Sequence, residues 1–229
     1  MNKNIYIISD VHGCYTTLLA LIGQLPNKEK SHLIFVGDLI DRGLDSVKVV
    51  EFVKNGGYSC IKGNHEQMMI DSFQPSEGMY SSVLSRSIAL WNLNGGVATD
   101  KSYNEPFTHL LGPHLEWLKQ LPNYLEYDIK DENDKILFVT HGFGLPYWKD
   151  RHNLDIAKKS RDARILDFNI QIDNSNIYNV FGHDVQENGK VLITDNYAAI
   201  DTGCVFGGFL TAMEWPSKRI FQQKNIENE

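Results

Sequence analysis

Residues of metal-ligand type follow directly after five short apolar runs of the sequence. Asp10 follows "IYIIS", Asp38 follows "LIFVG", Asn64 follows "SCIKG", His141 follows "ILFVT" and His183 follows "IYNVFG". The runs are rich in β-branched and aromatic residues, which is typical of β-strands. Because the carboxyl ends of the strands line the ligand crevice of an open α/β sheet, we expect these five residues to lie close together.

With a sixth residue of the same kind, these side chains form a set of oxygen and nitrogen donors without a thiolate. The set is Asp10, His12, Asp38, Asn64, His141 and His183. It suits divalent ions such as Mn, Fe and Zn. Six ligands exceed the need of one catalytic ion, and a carboxylate such as Asp38 can bridge two. We therefore predict two divalent ions, with Mn as first choice and Fe or Zn as alternatives, and metal-assisted hydrolysis of a phosphoester.

The first third of the chain predicts the elements that hold three of these ligands. Apolar residues recur at helical spacing over 15–25 and 45–54, between the first three strand-like runs. The ligand positions at the ends of those runs lie 28 and 26 residues apart, which is close to the length of one βαβ unit. The pattern predicts a βαβαβ core with parallel strands and right-handed crossovers.

The rest of the chain turns from helices to strands. Residues 66–91 are predicted to be mainly helical, and residues 106–121 an amphipathic helix. From Tyr124 onward the pattern predicts seven strands, in "YLEYDI", "KILFVTH", "IYNVFGH", "KVLITD", "YAAIDTG", "FLTAMEW" and "RIFQQ". We predict an α/β fold in one domain over 1–229: a mixed two-sheet β-sandwich with a metal-binding βαβαβ core and flanking helices. Residues 225–229 are expected to be frayed.

Composition excludes several classes of protein. A net charge of −7 without a strong Lys/Arg cluster argues against nucleic acid binding. Three cysteines without CxxC spacing predict neither a disulfide framework nor a zinc knuckle. No secretory signal pattern and no apolar run of membrane-spanning length is found, so we expect a cytoplasmic protein that does not enter a membrane. The sequence does not determine the oligomeric state.

The ordered motifs "SDVHG", "GDLIDRG", "GNHE", "THG" and "FGH" resemble those of the PPP-type metallophosphatases of the calcineurin-like phosphoesterase superfamily. The small bacterial and phage serine/threonine protein phosphatases are the most similar branch, since "LNGG" and "IDTGCVFGGFLT" resemble it too. The resemblance covers residues 5 to 213. It implies the calcineurin-like fold and hydrolysis of phosphoserine or phosphothreonine in proteins or peptides, with phosphotyrosine as a further substrate.

The resemblance also implies individual roles. Asp10 and His12 would hold one ion, Asp38 would bridge, and the second ion would be held by Asn64, His141 and His183.

For catalysis, the resemblance implies that His65 is the general acid, oriented by Asp41, and that Arg42 clamps phosphate oxygens. The second phosphate-binding arginine is assigned to Arg161, with Arg164 as the alternative, because Lys159 replaces a Trp that usually precedes it.

Other interpretations stay open at this stage. Asp41 and Arg42 could simply pair with each other, and Arg161 could be an ordinary surface residue. Diadenosine polyphosphate or nucleotide hydrolases carry the same motifs but tend to have "GNHD", so Glu66 favours the protein phosphatases. Glu66 itself is predicted to form hydrogen bonds around the ligands rather than to bind metal. A catalytically silent binding module would have lost ligands, and none of the six is lost.

Overall fold

The computed structural model describes residues 4–73, 81–169 and 176–227. Within these ranges, ten strands form two five-stranded sheets, and seven α-helices accompany them. The strands are β1 (Ile5–Ile8), β2 (His32–Phe35), β3 (Ser59–Cys60), β4 (Tyr124–Lys130), β5 (Ile136–Thr140), β6 (Ile177–Phe181), β7 (Leu192–Ile193), β8 (Tyr197–Ala199), β9 (Phe209–Trp215) and β10 (Ile220–Lys224). The helices are α1 (Tyr15–Gln24), α2 (Ser46–Asn55), α3 (Asn64–Phe73), α4 (Ser81–Trp91), α5 (Val97–Ser102), α6 (Leu111–Gln120) and α7 (Leu154–Arg161).

Both sheets are mixed, as predicted. The first has the order β10-β9-β1-β2-β3, in which β1, β2 and β3 are parallel and β9 pairs antiparallel with both β1 and β10. The second has the order β4-β5-β6-β8-β7, in which β5, β6 and β8 are parallel. Helices α1 and α2 connect the parallel strands of the first sheet, so the predicted βαβαβ core and the two-sheet sandwich are confirmed.

Strand β1 shows how the layers are built. Its side chains alternate, so that Ile5 and Ile7 lie in an apolar cluster shared with β5 and β6 of the second sheet. Tyr6 and Ile8 point the other way, into a cluster formed with the helices. Because both faces of β1 are covered, all four residues are apolar and buried.

Helices α5 and α7 were not predicted from the sequence, and one predicted helix begins at a different residue. Residues 106–121 were predicted as one helix, but α6 begins at Leu111, after a short 3₁₀ helix at Thr108–Leu110. The prediction was wrong because Pro113 tolerates only the first turn of a helix, where its missing N–H is not needed. Of the helix predicted over 66–91, α3 and α4 account for most, and residues 74–80 lie outside the described part.

Residues 225–227 are hydrogen-bonded, so the prediction of fraying was wrong there, and residues 228 and 229 lie outside the described part. Asn225 Nδ2 donates to the carbonyl of Cys204 at 2.8 Å. The Glu227 carboxylate accepts from the backbone N–H of Thr17 at 2.7 Å, and the Ile226 N–H donates to Thr17 Oγ1. Thr17 lies in the first turn of α1, where backbone N–H groups have no partner within the helix.

None of the helices in the described ranges is long and apolar enough to cross a bilayer.

Candidate metal centre

The predicted ligands lie where the carboxyl ends of the two sheets meet. Asp10 follows β1 and His183 follows β6 of the other sheet, and the His183 N–H donates to both Asp10 oxygens at 3.0 and 3.2 Å. His141 follows β5, and its Nδ1 donates to the carbonyl of Val36, just past β2, at 2.7 Å. The strand ends of the second sheet therefore contact those of the first at the level of the ligands.

Left-handed backbone conformations are concentrated at these strand ends. Nine non-glycine residues of the described part have positive φ, and five of them are predicted site residues: His12 (47°), Asp38 (49°), Asp41 (73°), Arg42 (69°) and His183 (61°). Such conformations cost about 1–3 kcal/mol each for residues with a side chain, and they persist where surrounding contacts impose them. Contacts around these five residues therefore hold the backbone in a conformation that it would otherwise avoid.

Ligand atoms form two groups, in each of which all atoms lie within 4.8 Å of one another, and the two groups share one carboxylate. The first consists of His12, Asp38 and His65, and the second of Asp38, His141 and His183. Asn64 belongs with the second group, because its Oδ1 lies 2.9 Å from His141 Nε2. The sharing of Asp38 between two groups is the arrangement that a bridging carboxylate requires.

Two histidine rings are oriented by hydrogen bonds of their outer nitrogens. His12 Nδ1 donates to the carbonyl of Ile40 at 2.7 Å, just as His141 Nδ1 does to Val36. Each ring thus turns Nε2 toward Asp38, at 3.6 Å from Oδ2 for His12 and 3.3 Å from Oδ1 for His141. Imidazoles fixed in this way by backbone carbonyls are typical of metal ligands. These residues fit divalent ions.

The structure groups Asp10 differently from the expected first ion site. Its carboxylate is buried but belongs to neither ligand group, and its hydrogen bonds go to the backbone of His183. His65, expected as the acid, lies instead in the group of His12 and Asp38.

Glu66 holds the backbone of the bridging residue in place. Its carboxylate accepts hydrogen bonds from the N–H groups of Asp38, Leu39 and Gly63 at 2.8–2.9 Å, and it is fully buried. This confirms the prediction that Glu66 forms hydrogen bonds around the ligands. A buried carboxylate with three backbone donors fixes the loop after β2 against the loop after β3.

A carboxylate–imidazole pair borders the shared Asp38. His65 Nδ1 lies 2.6 Å from Asp41 Oδ2, and both side chains are almost completely buried. His65 Nε2 faces Asp38 Oδ2 at 3.9 Å. With Nδ1–H donated to Asp41, Nε2 is the nitrogen that faces the centre.

The three candidate arginines have different surroundings. Arg42 lies at the centre, with a guanidinium nitrogen 2.5 Å from His12 Nε2 and the guanidinium 5.2 Å from the ring centroid of Phe206. Arg161 is buried and donates to Gln67 Oε1 at 3.0 Å, and its Nε has no hydrogen-bond partner among the residues that the structure describes. Arg164 is half exposed and forms an ion pair with Asp184 at 3.2 Å.

Several pKa values at the centre are shifted in opposite directions. Burial raises the pKa of Asp10, and the charge of Asp201 adds to this, so that it lies well above its usual range. Burial would also raise the pKa of Asp38, but His141 and His65 outweigh it and hold that pKa well below its usual range. Burial lowers the pKa of His65, but Asp38 and Asp41 raise it further than burial lowers it. Opposed shifts within one cluster are typical of functional sites.

A family model described as calcineurin-like phosphoesterase matches residues 3–188. The chain belongs to this family. Its members use a dinuclear metal centre, and the two ligand groups that share Asp38 fit such a centre.

Curated proteins of two kinds are similar to this phosphoesterase. Serine/threonine-protein phosphatase 1 of Salmonella typhimurium is 27% identical over 217 residues, which cover 91% of this chain and 90% of that protein. A symmetrical bis(5'-nucleosyl)-tetraphosphatase of Coxiella burnetii is 28% identical over 268 positions, with 96% of this chain and 91% of that protein covered. Among solved structures, a protein provisionally described as a diadenosine tetraphosphatase has the same fold, with a TM-score of 0.70 at 21% identity over 99% of this chain and 95% of that chain.

Two residues at the centre of this phosphoesterase were not identified from the sequence. Trp91 and Thr99 both donate hydrogen bonds to the Asp41 carboxylate. Neither residue type suggests a catalytic role by itself. The available signal was the "LNGG" motif at 93–96, which lies between them and was used only as part of the family resemblance.

Proposed function

We propose that this phosphoesterase hydrolyses phosphoserine and phosphothreonine monoesters in proteins or peptides. The observation that carries the proposal is the position of His65, which is held by Asp41 at 2.6 Å and faces the shared carboxylate of Asp38 with Nε2. A proton donor beside a shared metal ligand suits a leaving group that must be protonated. The alkoxides of serine and threonine are such leaving groups.

Asp10, His12 and Asp38 would hold one divalent ion, and Asp38, Asn64, His141 and His183 would hold the other. Bound there, the two ions would supply Lewis acidity toward phosphate oxygens and a nucleophile from water at neutral pH. The backbone contacts of Glu66 and of the two histidine rings keep the ligands in position, and His12 Nε2 would give up its contact with Arg42 on loading.

His65 supplies the proton in this mechanism. As water attacks phosphorus, the P–O ester bond breaks and its electron pair goes to the serine or threonine oxygen. Nε2–H of the protonated His65 ring donates its proton to that oxygen, and the Nδ1–H bond to Asp41 stabilises the ring throughout. The products are the free hydroxyl group and inorganic phosphate.

Two arginines would bind the phosphate. The Arg42 guanidinium lies beside His12 and can present two N–H groups to two phosphate oxygens. Arg161 is supported over Arg164 as the second clamp, since its buried Nε has donor capacity left, whereas Arg164 is paired with Asp184.

A hydrolase of dinucleoside polyphosphates is the second candidate, because relatives with that name align with nearly the whole chain. That alignment runs over more positions than the 229 residues of this chain, so it contains gaps opposite segments that the chain lacks. The alignment with the protein phosphatase runs over 217 positions and covers 91% of this chain, so it contains far fewer such gaps. Glu66 in "GNHE" also favours the protein phosphatase. A catalytically silent binding module is disfavoured, since all six ligand positions are occupied by ligand types.

A substrate panel tests the proposal. The protein, freed of metal with EDTA, is assayed with added Mn, Fe or Zn on phosphoserine, phosphothreonine and phosphotyrosine peptides and on diadenosine tetraphosphate. We expect metal-dependent hydrolysis of the first two peptides, with Mn the most effective ion, and an Asp38→Asn control that is inactive. Hydrolysis of the dinucleotide alone would assign the second function, and full activity without metal, verified by elemental analysis, would contradict the mechanism.

A further inference from the structure

The Asp41 carboxylate is held by two further donors besides His65. Trp91 Nε1 lies 2.9 Å from Oδ1 and 3.1 Å from Oδ2, and Thr99 Oγ1 donates to Oδ1 at 2.7 Å. Asp41 is completely buried, and Trp91 and Thr99 are buried as well. Oδ1 therefore accepts from Trp91 and Thr99, and Oδ2 accepts from Trp91 and His65, so that both oxygens are held by donors besides His65.

The hydrogen-bond acceptor of the Thr99 hydroxyl hydrogen can be assigned. Its Oγ1 contacts the Asp41 carboxylate, accepts from the Asp41 backbone N–H at 2.8 Å and lies 3.0 Å from Ser46 Oγ. A carboxylate anion can only accept, so the Thr99 hydroxyl donates to it, and the Ser46 hydroxyl donates to Thr99. The Thr99 hydroxyl group thus binds both the carboxylate and the backbone N–H of Asp41.

The same segment also holds the next residue. Arg42 N–H donates to the carbonyl of Gly95 at 3.1 Å, within the segment Asn92–Gly96 that joins α4 to α5 and is kinked at Gly95. Gly95 has φ 105°, and a Cβ added to it would lie 2.6 Å from Arg42 Cγ and 2.9 Å from Arg42 N. Only glycine allows this approach.

Asp41 and Arg42 both have left-handed backbones, with φ of 73° and 69°, which are unfavourable for residues with side chains. Contacts from outside the loop are needed to hold two consecutive residues in this left-handed conformation. Those contacts come from Trp91, Gly95 and Thr99, which we name the Asp41 support. The support comes from a part of the chain 50 to 58 residues away.

We propose that the Asp41 support positions the proton donor and the phosphate clamp of the reaction, by fixing Asp41 and, through it, the ring of His65, together with the backbone of Arg42. Trp91 and Thr99 are positioning residues in this scheme, since they act through Asp41. The inference rests on the proposed function for its kinetic consequences, whereas the hydrogen bonds themselves can be tested without it.

Two conservative substitutions remove single donors. Trp91→Phe keeps a ring and deletes the N–H, and Thr99→Val keeps the shape and deletes the hydroxyl. Each is expected to lower kcat for a phosphoserine peptide roughly 10- to 100-fold, the range for losing a group that orients a ligand or catalyst. The loss should be smaller for p-nitrophenyl phosphate, because nitrophenolate departs without a proton. Metal content should stay at the wild-type level.

Matched controls separate positioning from general destabilisation. Thr99→Ser retains the hydroxyl, and Trp117→Phe removes a partly buried indole from α6, so both should stay within about twofold of wild-type kcat. All variants are assayed well below their unfolding temperatures. Equal losses on both substrates, or wild-type rates for Thr99→Val, would overturn the proposal; the Thr99 pair decides it if Trp91→Phe does not fold.

An NMR measurement distinguishes failure of this inference from failure of the proposed function. The indole ¹⁵N–¹H resonance of Trp91 is identified by its loss in Trp91→Phe. It is expected to shift in Asp41→Asn, where a neutral amide replaces the charged acceptor, and to stay unchanged in Asp45→Asn. A resonance unaffected by Asp41→Asn would overturn the support even in an active enzyme, whereas the expected shift in a protein without phosphatase activity would leave it standing and refute only the proposed function.

Discussion

Replacement of Gly182 by alanine is expected to displace Asp10. A Cβ at this position would lie 1.9 Å from Asp10 Oδ1 and 2.7 Å from Val36 Cγ2, and the first distance is about 1.5 Å short of an ordinary contact. Gly182 is not among the residues with positive φ, so the backbone itself accepts alanine. Asp10 is only 2% exposed, and its carboxylate accepts from the His183 N–H, so moving it breaks that hydrogen bond.

The size of the effect follows from that displacement. Distances between metals and ligands tolerate deviations of about 0.2 Å, so a carboxylate moved by more than 1 Å no longer serves as a ligand at its original site. We expect Mn affinity and metal-limited activity to fall at least ~10- to 100-fold. Overpacking of a buried site should also lower the free energy of unfolding by about 1–3 kcal/mol.

Calorimetric titration with Mn measures the affinity, and urea unfolding in EDTA measures stability separately from metal binding. Gly23→Ala is the matched control, since a Cβ at that position of α1 meets nothing within 4 Å. It should leave Mn binding unchanged and stabilise the helix by up to about 1 kcal/mol. Loss of stability in Gly182→Ala with wild-type Mn affinity would refute Asp10 as a ligand, and no change in either would refute the close approach itself.

Three further outcomes are expected. His65→Asn should retain both ions while kcat for a phosphoserine peptide falls roughly 100- to 10,000-fold, and less for an aryl phosphate; a loss of metal would make His65 a ligand instead. Arg42→Ala should weaken inhibition by inorganic phosphate at near-normal metal content, with Arg42→Lys in between because lysine keeps the charge without the fork; inhibition as strong as in the parent would contradict the clamp. Asn225→Ala should lower the free energy of unfolding by about 1 kcal/mol in urea, through loss of the bond to Cys204; unchanged stability would mean that the segment is held by its other contacts.

The sequence alone was sufficient to predict features that local patterns encode. Helix α1 and helix α2 were predicted to within one residue at each end, because apolar spacing reports which face a helix buries. The ligand types at the ends of β1, β2, β3, β5 and β6 could be recognised since a parallel strand and the loop after it are contiguous in sequence. The family followed from the order of those same short motifs.

Only the tertiary structure decided which of these residues touch. The contact of His183 with Asp10 joins two sheets across 173 residues, and the sharing of Asp38 between two ligand groups depends on that joining. Trp91 and Thr99 reach Asp41 from a segment whose own pattern is that of an ordinary helix pair. Periodicity records how a residue is buried but not against what, so contacts between distant segments depend on how whole elements pack.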